Sequence, residues 1–368
     1  MGRGLSPPAV PAKAFGPVSS GVDPAMSSRA AENRSPVGAM AARPPVDRVQ
    51  VTRGIACLLL VLFHVVGGKQ EDGLGVADGT LGRQILDILI YIRMPLFAFI
   101  SGYIYALKPV DPATPRPFLQ GKLRRLALPL LSATTIFYLV ALARAPLPPM
   151  EAVAGLFQAY FFSYEIYWFL QAMLVIFLAL PLLERYLLGH WQGCAVAILV
   201  TFALTVPAEP VNFLSLNGAM FLAPFFFIGV AARRFIGSLT RKRTMLLLAV
   251  LLVALVLHVH NVMTMPPHMG ARRGTLLSLV IGGLTPLLLI AYAPRIGLLA
   301  RIGNASFAIF LFHIFFVVGT RMLLNRLGVE NMGSHLLAGL FTAIAGPMLL
   351  QAVLVRWKPS RRLFLGLR

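Results

Sequence analysis

The chain reads as a succession of long apolar blocks separated by short polar ones. Apolar stretches occupy residues 50–68, 85–107, 126–143, 166–188, 192–208, 217–232, 244–262, 274–293, 304–325 and 334–355. Each approaches the ~20 residues that a helix needs to cross ~30 Å of hydrocarbon. The pattern predicts an all-α integral membrane protein, a bundle of about ten transmembrane helices. The fifth and sixth blocks are the shortest, and the eighth is interrupted by Gly282, Gly283 and Pro286, so counts of nine and eleven stay open. Residues 150–164 have the aromatic content of a helix lying at the membrane interface.

The polar segments orient this bundle. With the N-terminus in the cytoplasm, 25 of the 33 Lys and Arg residues fall in cytoplasmic segments, 7 fall in outer loops, and Arg93 alone lies within a span. Without the N-terminal segment the asymmetry is still 18 to 7, which by the positive-inside rule places both termini in the cytoplasm. Arg272 and Arg273 are the chief exceptions. Residues 1–47, rich in Pro, Gly, Ala and Ser, lack the apolar content for a core and predict a disordered cytoplasmic tail. The first apolar run comes too late for a secretory signal. Residues 48–356 then form one membrane domain, and 357–368 a short basic cytoplasmic tail.

Composition changes the picture in one respect. Apolar residues make up 58% of the chain and charged residues 12%, with a mean hydropathy of +0.78, where a soluble domain carries about 25% charged residues. A net charge of +20 would suggest nucleic acid in a soluble protein. Here the basic residues lie between hydrophobic runs, so the expected partner is the lipid bilayer and no nucleic acid. Cys57 and Cys194 both fall inside apolar runs, which argues against a disulfide framework.

An ionisable side chain inside a span is costly and is a functional candidate by default. On the first span, Arg53 and His64 are eleven residues apart, ~16 Å along a helix axis at ~1.5 Å per residue. At ~100° per residue they return to within ~20° of the same face. Arg53 then stands at the cytoplasmic edge and His64 near the midplane above it. Taken alone, each has an ordinary alternative: a positive-inside anchor for Arg53, a hydrogen-bonded packing residue for His64.

In sequence context the pair resembles a known family. Arg53-Gly54-Ile55-Ala56 through Leu62-Phe63-His64 resembles the Arg-x(10)-His signature of the membrane-bound acyltransferase 3 family, the bacterial O-acyltransferases. Met94-Pro95-Leu96-Phe97-Ala98-Phe99-Ile100-Ser101-Gly102-Tyr103 is similar to its second-helix motif, in the form of the fucose 4-O-acetylase-like branch. Lys122-Leu123-Arg124-Arg125 with Pro129 looks like the basic stretch opening the third helix, and Tyr167-Trp168-Phe169-Leu170 like the start of the fourth. Ile302-Gly303-Asn304-Ala305-Ser306-Phe307 through His313 is similar to the late motif ending in His. Arg93 stands where the branch commonly has His, Ala98 where an aromatic is usual, and Phe307 where Tyr is usual.

The resemblance implies acyl transfer, usually of acetyl, from cytosolic acyl-coenzyme A to a hydroxyl of a glycan or lipid-linked sugar in the bacterial inner membrane. Acetyl-CoA would be a co-substrate, with no cofactor permanently bound. A hydroxyl is a poor nucleophile at neutral pH, and a neutral imidazole at His64 suits the task of general base. The phosphates of coenzyme A need Arg or Lys at the cytoplasmic mouth; Arg53, Lys122, Arg124 and Arg125 are candidates, with Arg233, Arg234, Arg241, Lys242 and Arg243 as a second cluster. Donors to an oxyanion, or groups that position substrate, are sought among Ser101, Tyr167, Trp168, Asn304, Ser306 and His313. Arg93 either binds an anion or snorkels outward. Glu165 either meets the acceptor or is a solvated loop charge.

Other chemistries fit less well. Cys57 shares the Arg53 face, but a thiol in apolar surroundings is inert. His258, His260 and His268 have metal-like spacing without a carboxylate, so no metal site is expected. A transporter or flippase is the alternative class, but the inverted repeats that would mark one are not evident.

Overall fold

A computed structural model of the chain describes residues 47–69, 72–205, 212–266 and 269–368. The predicted tail, 1–47, lies outside them except for Asp47, whose carboxylate accepts from Val49 N at 2.9 Å and caps the first helix. In chain order α1 spans Arg48–Val66, α2 Leu81–Tyr105, α3 Arg116–Lys122, α4 Leu128–Arg144, α5 Pro149–Phe161, α6 Trp168–Tyr186 and α7 Trp191–Ala203. Then come α8 Leu216–Ala231, α9 Arg241–Thr264, α10 Leu276–Tyr292, α11 Gly297–Asn304, α12 Ser306–Arg326, α13 Met332–Leu354 and α14 Lys358–Leu365. Among the described residues the fold is all-α, with one isolated bridge between Phe162 and Phe213.

Eight helical stretches among the described residues are long and apolar enough to cross a membrane: α1, α2, α3 through α4, α6, α8, α9, α12 and α13. The protein is therefore a multi-pass membrane protein, because only continuous helices satisfy their own backbone in lipid at this composition. The remaining two apolar blocks form shorter helices. With 13 residues α7 is only ~20 Å long at ~1.5 Å per residue. Gly282, Gly283 and Pro286 do not interrupt α10, which runs unbroken for 17 residues.

Two local departures reshape the basic segments. The chain passes from α3 into α4 through a π-helical turn at Leu123–Ala127, so Lys122 to Arg125 lie within one rod, Arg116–Arg144, rather than ahead of it. A second π turn, Ala232–Ile236, extends α8 and carries Arg233 and Arg234. Beyond α13 the basic C-terminal segment forms α14, which packs on α4, buries Leu365, and accepts from Arg124 Nε at the Gly366 carbonyl at 3.2 Å.

Close helix contacts need residues without a side chain, since TM helices associate by van der Waals packing rather than by water exclusion. A Cβ on Gly54 of α1 would stand 2.1 Å from Leu299 O, and one on Gly303 of α11 1.9 Å from Gln50 O. The two glycines thus set α1 directly against α11. Gly102 of α2 and Gly229 of α8 do the same, at 1.9 Å from Phe226 O and 2.1 Å from Phe99 O. These two crossings hold the first two helices, which carry Arg53, His64 and Arg93.

Candidate active site

Two cavities open along α1. One, of about 530 Å³, is lined by His64, Phe63, Arg93, Trp168, Phe310 and the loop after α1. The other, of about 210 Å³, is lined by Arg53, Phe97, Ser101, Phe169, Ser306 and Phe310. Leu60 lines the first and lies between Arg53 and His64 on α1. Phe310 lines both and so divides them. Its ring packs against Phe169 at 5.2 Å between centroids, and Phe169 against Phe97 at 5.9 Å.

His64 is half-buried at the wall of the larger cavity. Its ring lies 4.9 Å from that of His313 and meets Phe63 edge-on at 5.1 Å. His313 is fully buried. Its Nδ1 faces two carbonyl oxygens, of Ile309 at 2.8 Å and Phe310 at 3.0 Å. Carbonyls only accept, so Nδ1 carries a proton and the lone pair of the neutral ring falls on Nε2. That nitrogen has no hydrogen-bond partner among the described residues. The pair therefore consists of one fixed imidazole and one that reaches the cavity.

The loop from α1 to α2 forms part of the cavity mouth, and arginines pin it. Buried Arg83 donates to Gly67 O at 2.6 Å and Val76 O at 2.8 Å, and its Nε pairs with Asp78 at 3.3 Å. Arg321 of α12 donates to Gly73 O. Across the mouth, Glu165 holds a left-handed backbone conformation at φ 44°, costly for a residue with a side chain.

A family model for an acyltransferase domain matches residues 46–352. The chain belongs to the acyltransferase 3 family. No curated protein and no solved structure matches it. The family match takes in seven of the eight long apolar helices entirely and all but the last two residues of α13, so the cavities described above belong to the family domain and not to an appendage.

The sequence-predicted residues of this acyltransferase distribute over both cavities. Arg53, Ser101 and Ser306 share the smaller one, where Ser101 Oγ donates to Phe97 O at 2.8 Å. Lys122 stands beside it, with its ammonium 3.5 Å from the ring centroid of Phe177, another lining residue. Arg53 has no hydrogen bond or ion pair among the described residues, so its guanidinium is available to a ligand. Trp168 lines the larger cavity with His64, and His313 backs it. Arg124 is engaged by Gly366 O, while Arg125 and Asn304 are exposed and line neither cavity. Tyr167 is fully buried and donates to Leu311 O at 3.3 Å.

Other sequence candidates find structural partners. Arg234 pairs with Glu184 at 2.8 Å and Glu184 accepts from Tyr105 Oη at 2.7 Å. Cys57 is buried among Val61, Ile309 and Ala343 and lines neither cavity. His258 stacks on Tyr91 at 4.0 Å, with Nε2 3.2 Å from Asp87 O; His268 lies outside the described residues. Sequence reasoning did not anticipate Lys69, Asp72 and Arg321 in the larger cavity. Arg273 also lines it, and its signal was present: it is one of the exceptions to the charge asymmetry.

Proposed function

We propose that this protein is an O-acyltransferase that moves an acyl group, acetyl in the simplest case, from cytosolic acyl-CoA to a carbohydrate hydroxyl. The observation that carries the reading is the placement of His64: an imidazole at the wall of a cavity large enough for a sugar, on the same helix as Arg53, which lines a second compartment. Arg53 and Lys122 receive the phosphates of coenzyme A, as charge-assisted donors do. Ser101 and Ser306 lie in that compartment and contact the donor rather than the sugar. The bacterial inner membrane, with Arg53 toward the cytoplasm, is the setting that the charge asymmetry supports.

In the reaction the sugar hydroxyl oxygen attacks the thioester carbonyl carbon while His64 takes its proton. The tetrahedral intermediate collapses by breaking the carbon–sulfur bond. The imidazolium returns its proton to the departing thiolate, leaving an ester and free coenzyme A. His313, proton-bearing at Nδ1, keeps the second ring in place. Reconstituted full-length protein tests the reading: His64→Ala should lose acyl transfer by ~10²–10⁴-fold, the contribution of a positioned base, with normal expression and membrane insertion. Full activity in that variant would end the assignment. Trapping labelled acyl-enzyme with donor alone separates this direct transfer from a route through a covalent acyl-histidine, since direct attack predicts none.

A further inference from the structure

The cavity at His64 is more basic than deprotonating a hydroxyl requires. Among the described residues, Lys69, Arg93, Arg273 and Arg321 line it, against Asp72 and Glu165. Both carboxylates are exposed at the mouth. Among the described residues neither lies within ion-pair distance of the four cations, because the pairs found are Arg83 with Asp78 and Arg234 with Glu184.

Arg93 is the unusual member. It is 6% exposed, its guanidinium carbon stands 3.4 Å from the centroid of Phe63, and its buried Nε has no hydrogen-bond partner among the described residues. The face of Phe63 attracts the cation but supplies no acceptor. A guanidinium carries five donors in a fixed fork, and such a group is kept buried only where it is paired. Arg273 lines the same cavity, held over Phe221 at 5.2 Å and Trp168 at 5.9 Å. Two like charges facing one space repel each other until an anion enters between them. Arg321 already donates to Gly73 O, and the exposed Lys69 is held by no ring, whereas Arg273, though also exposed, is fixed over Phe221 and Trp168, so Arg93 and Arg273 are the pair left to a ligand.

We infer that the acceptor bound in the His64 cavity carries an acidic group, a carboxylate or a phosphate on the sugar, held by the guanidinium groups of Arg93 and Arg273. The inference rests on the reading of this cavity as the acceptor site and narrows its substrate class. Position 93 would then be a specificity determinant, placing the anion near Phe63 and the accepting hydroxyl against His64. Arg and carboxylate or phosphate match in bidentate geometry, which fixes orientation as well as affinity.

Thermal melting of the purified full-length protein, titrated at constant ionic strength with methyl glucuronide, glucose 1-phosphate and neutral methyl glucoside, tests this. At least one anionic sugar should raise the melting temperature saturably, and the glucoside should not. A response to the glucuronide alone assigns a uronic acid, and one to glucose 1-phosphate alone a glycosyl phosphate. In Arg93→Gln the half-saturating concentration should rise roughly 10- to 100-fold, the range of one lost charged hydrogen bond. In Arg93→Lys it should rise less. Arg273→Gln, on a more exposed side chain, carries the same expectation should Arg93→Gln fail to insert. Equal responses to the glucoside and the anionic sugars, no response to any of them, or titration of the Gln variants like wild type would overturn the inference. In His64→Ala the anionic sugar should still raise the melting temperature saturably while acyl transfer is lost. Anion binding without acyl transfer in the wild type would therefore remove the acyltransfer reading and leave the anion site standing.

Discussion

His64 and His313 have unequal surroundings, and the difference assigns them different work. The cavity reaches His64, whereas His313 is fully buried with its Nδ1 proton committed to two carbonyls. His313→Ala should therefore reduce transfer by less than His64→Ala, up to ~10²-fold through misplacement of the neighbouring ring. Steady-state rates compared side by side check this, and equal losses would mean that both rings move the proton. A second residue-scale expectation concerns Glu184, which accepts from both Arg234 and Tyr105. Removing it leaves a largely buried guanidinium without its counter-charge, with only Leu188 O at 2.8 Å still accepting from it, so Glu184→Ala should destabilise the protein by about 3 kcal/mol, measurable by denaturant unfolding. Sequence alone placed Arg234 in a basic cluster open to coenzyme A. Its partner lies 50 residues away on α6, a separation that no local pattern encodes.

At the scale of elements, apolar length was enough to reveal the spans, because a helix that crosses lipid must be long and apolar whatever its neighbours. Where helices touch was not legible. Gly282 looked like a break in α10, yet it is a contact: a Cβ there would meet Pro95 Cβ and Tyr91 O of α2, each at 2.9 Å. The π turns at Leu123–Ala127 and Ala232–Ile236 likewise carry no sequence signal that periodicity reads. The crossing of α1 and α11 gives a testable consequence. Gly303→Ala would drive a methyl group into Gln50 O, at an overpacking cost of about 1–3 kcal/mol. The displaced α1 should carry Arg53 with it, so the variant should show both a lower unfolding midpoint and weaker coenzyme A binding. A change in stability with unaltered donor affinity would uncouple α11 from the donor site.

Across the whole molecule, the helical period of α1 put Arg53 and His64 on one face, and that much was legible in the sequence. Their assignment to two compartments was not, because the dividing rings come from α2, α6 and α12. Phe310 stands at the boundary between them. Phe310→Ala should open it to water and raise acceptor-independent hydrolysis of acyl-CoA, followed by release of free thiol; an unchanged background rate would place the barrier elsewhere. The division also sets the kinetic order. In the proposed reaction donor and acceptor occupy separate cavities and do not compete for the same space. Initial-rate plots should therefore intersect rather than run parallel, and free coenzyme A should inhibit competitively against the donor but not against the sugar. On that reading either substrate binds first, and the aromatic boundary keeps water from the thioester until the second arrives.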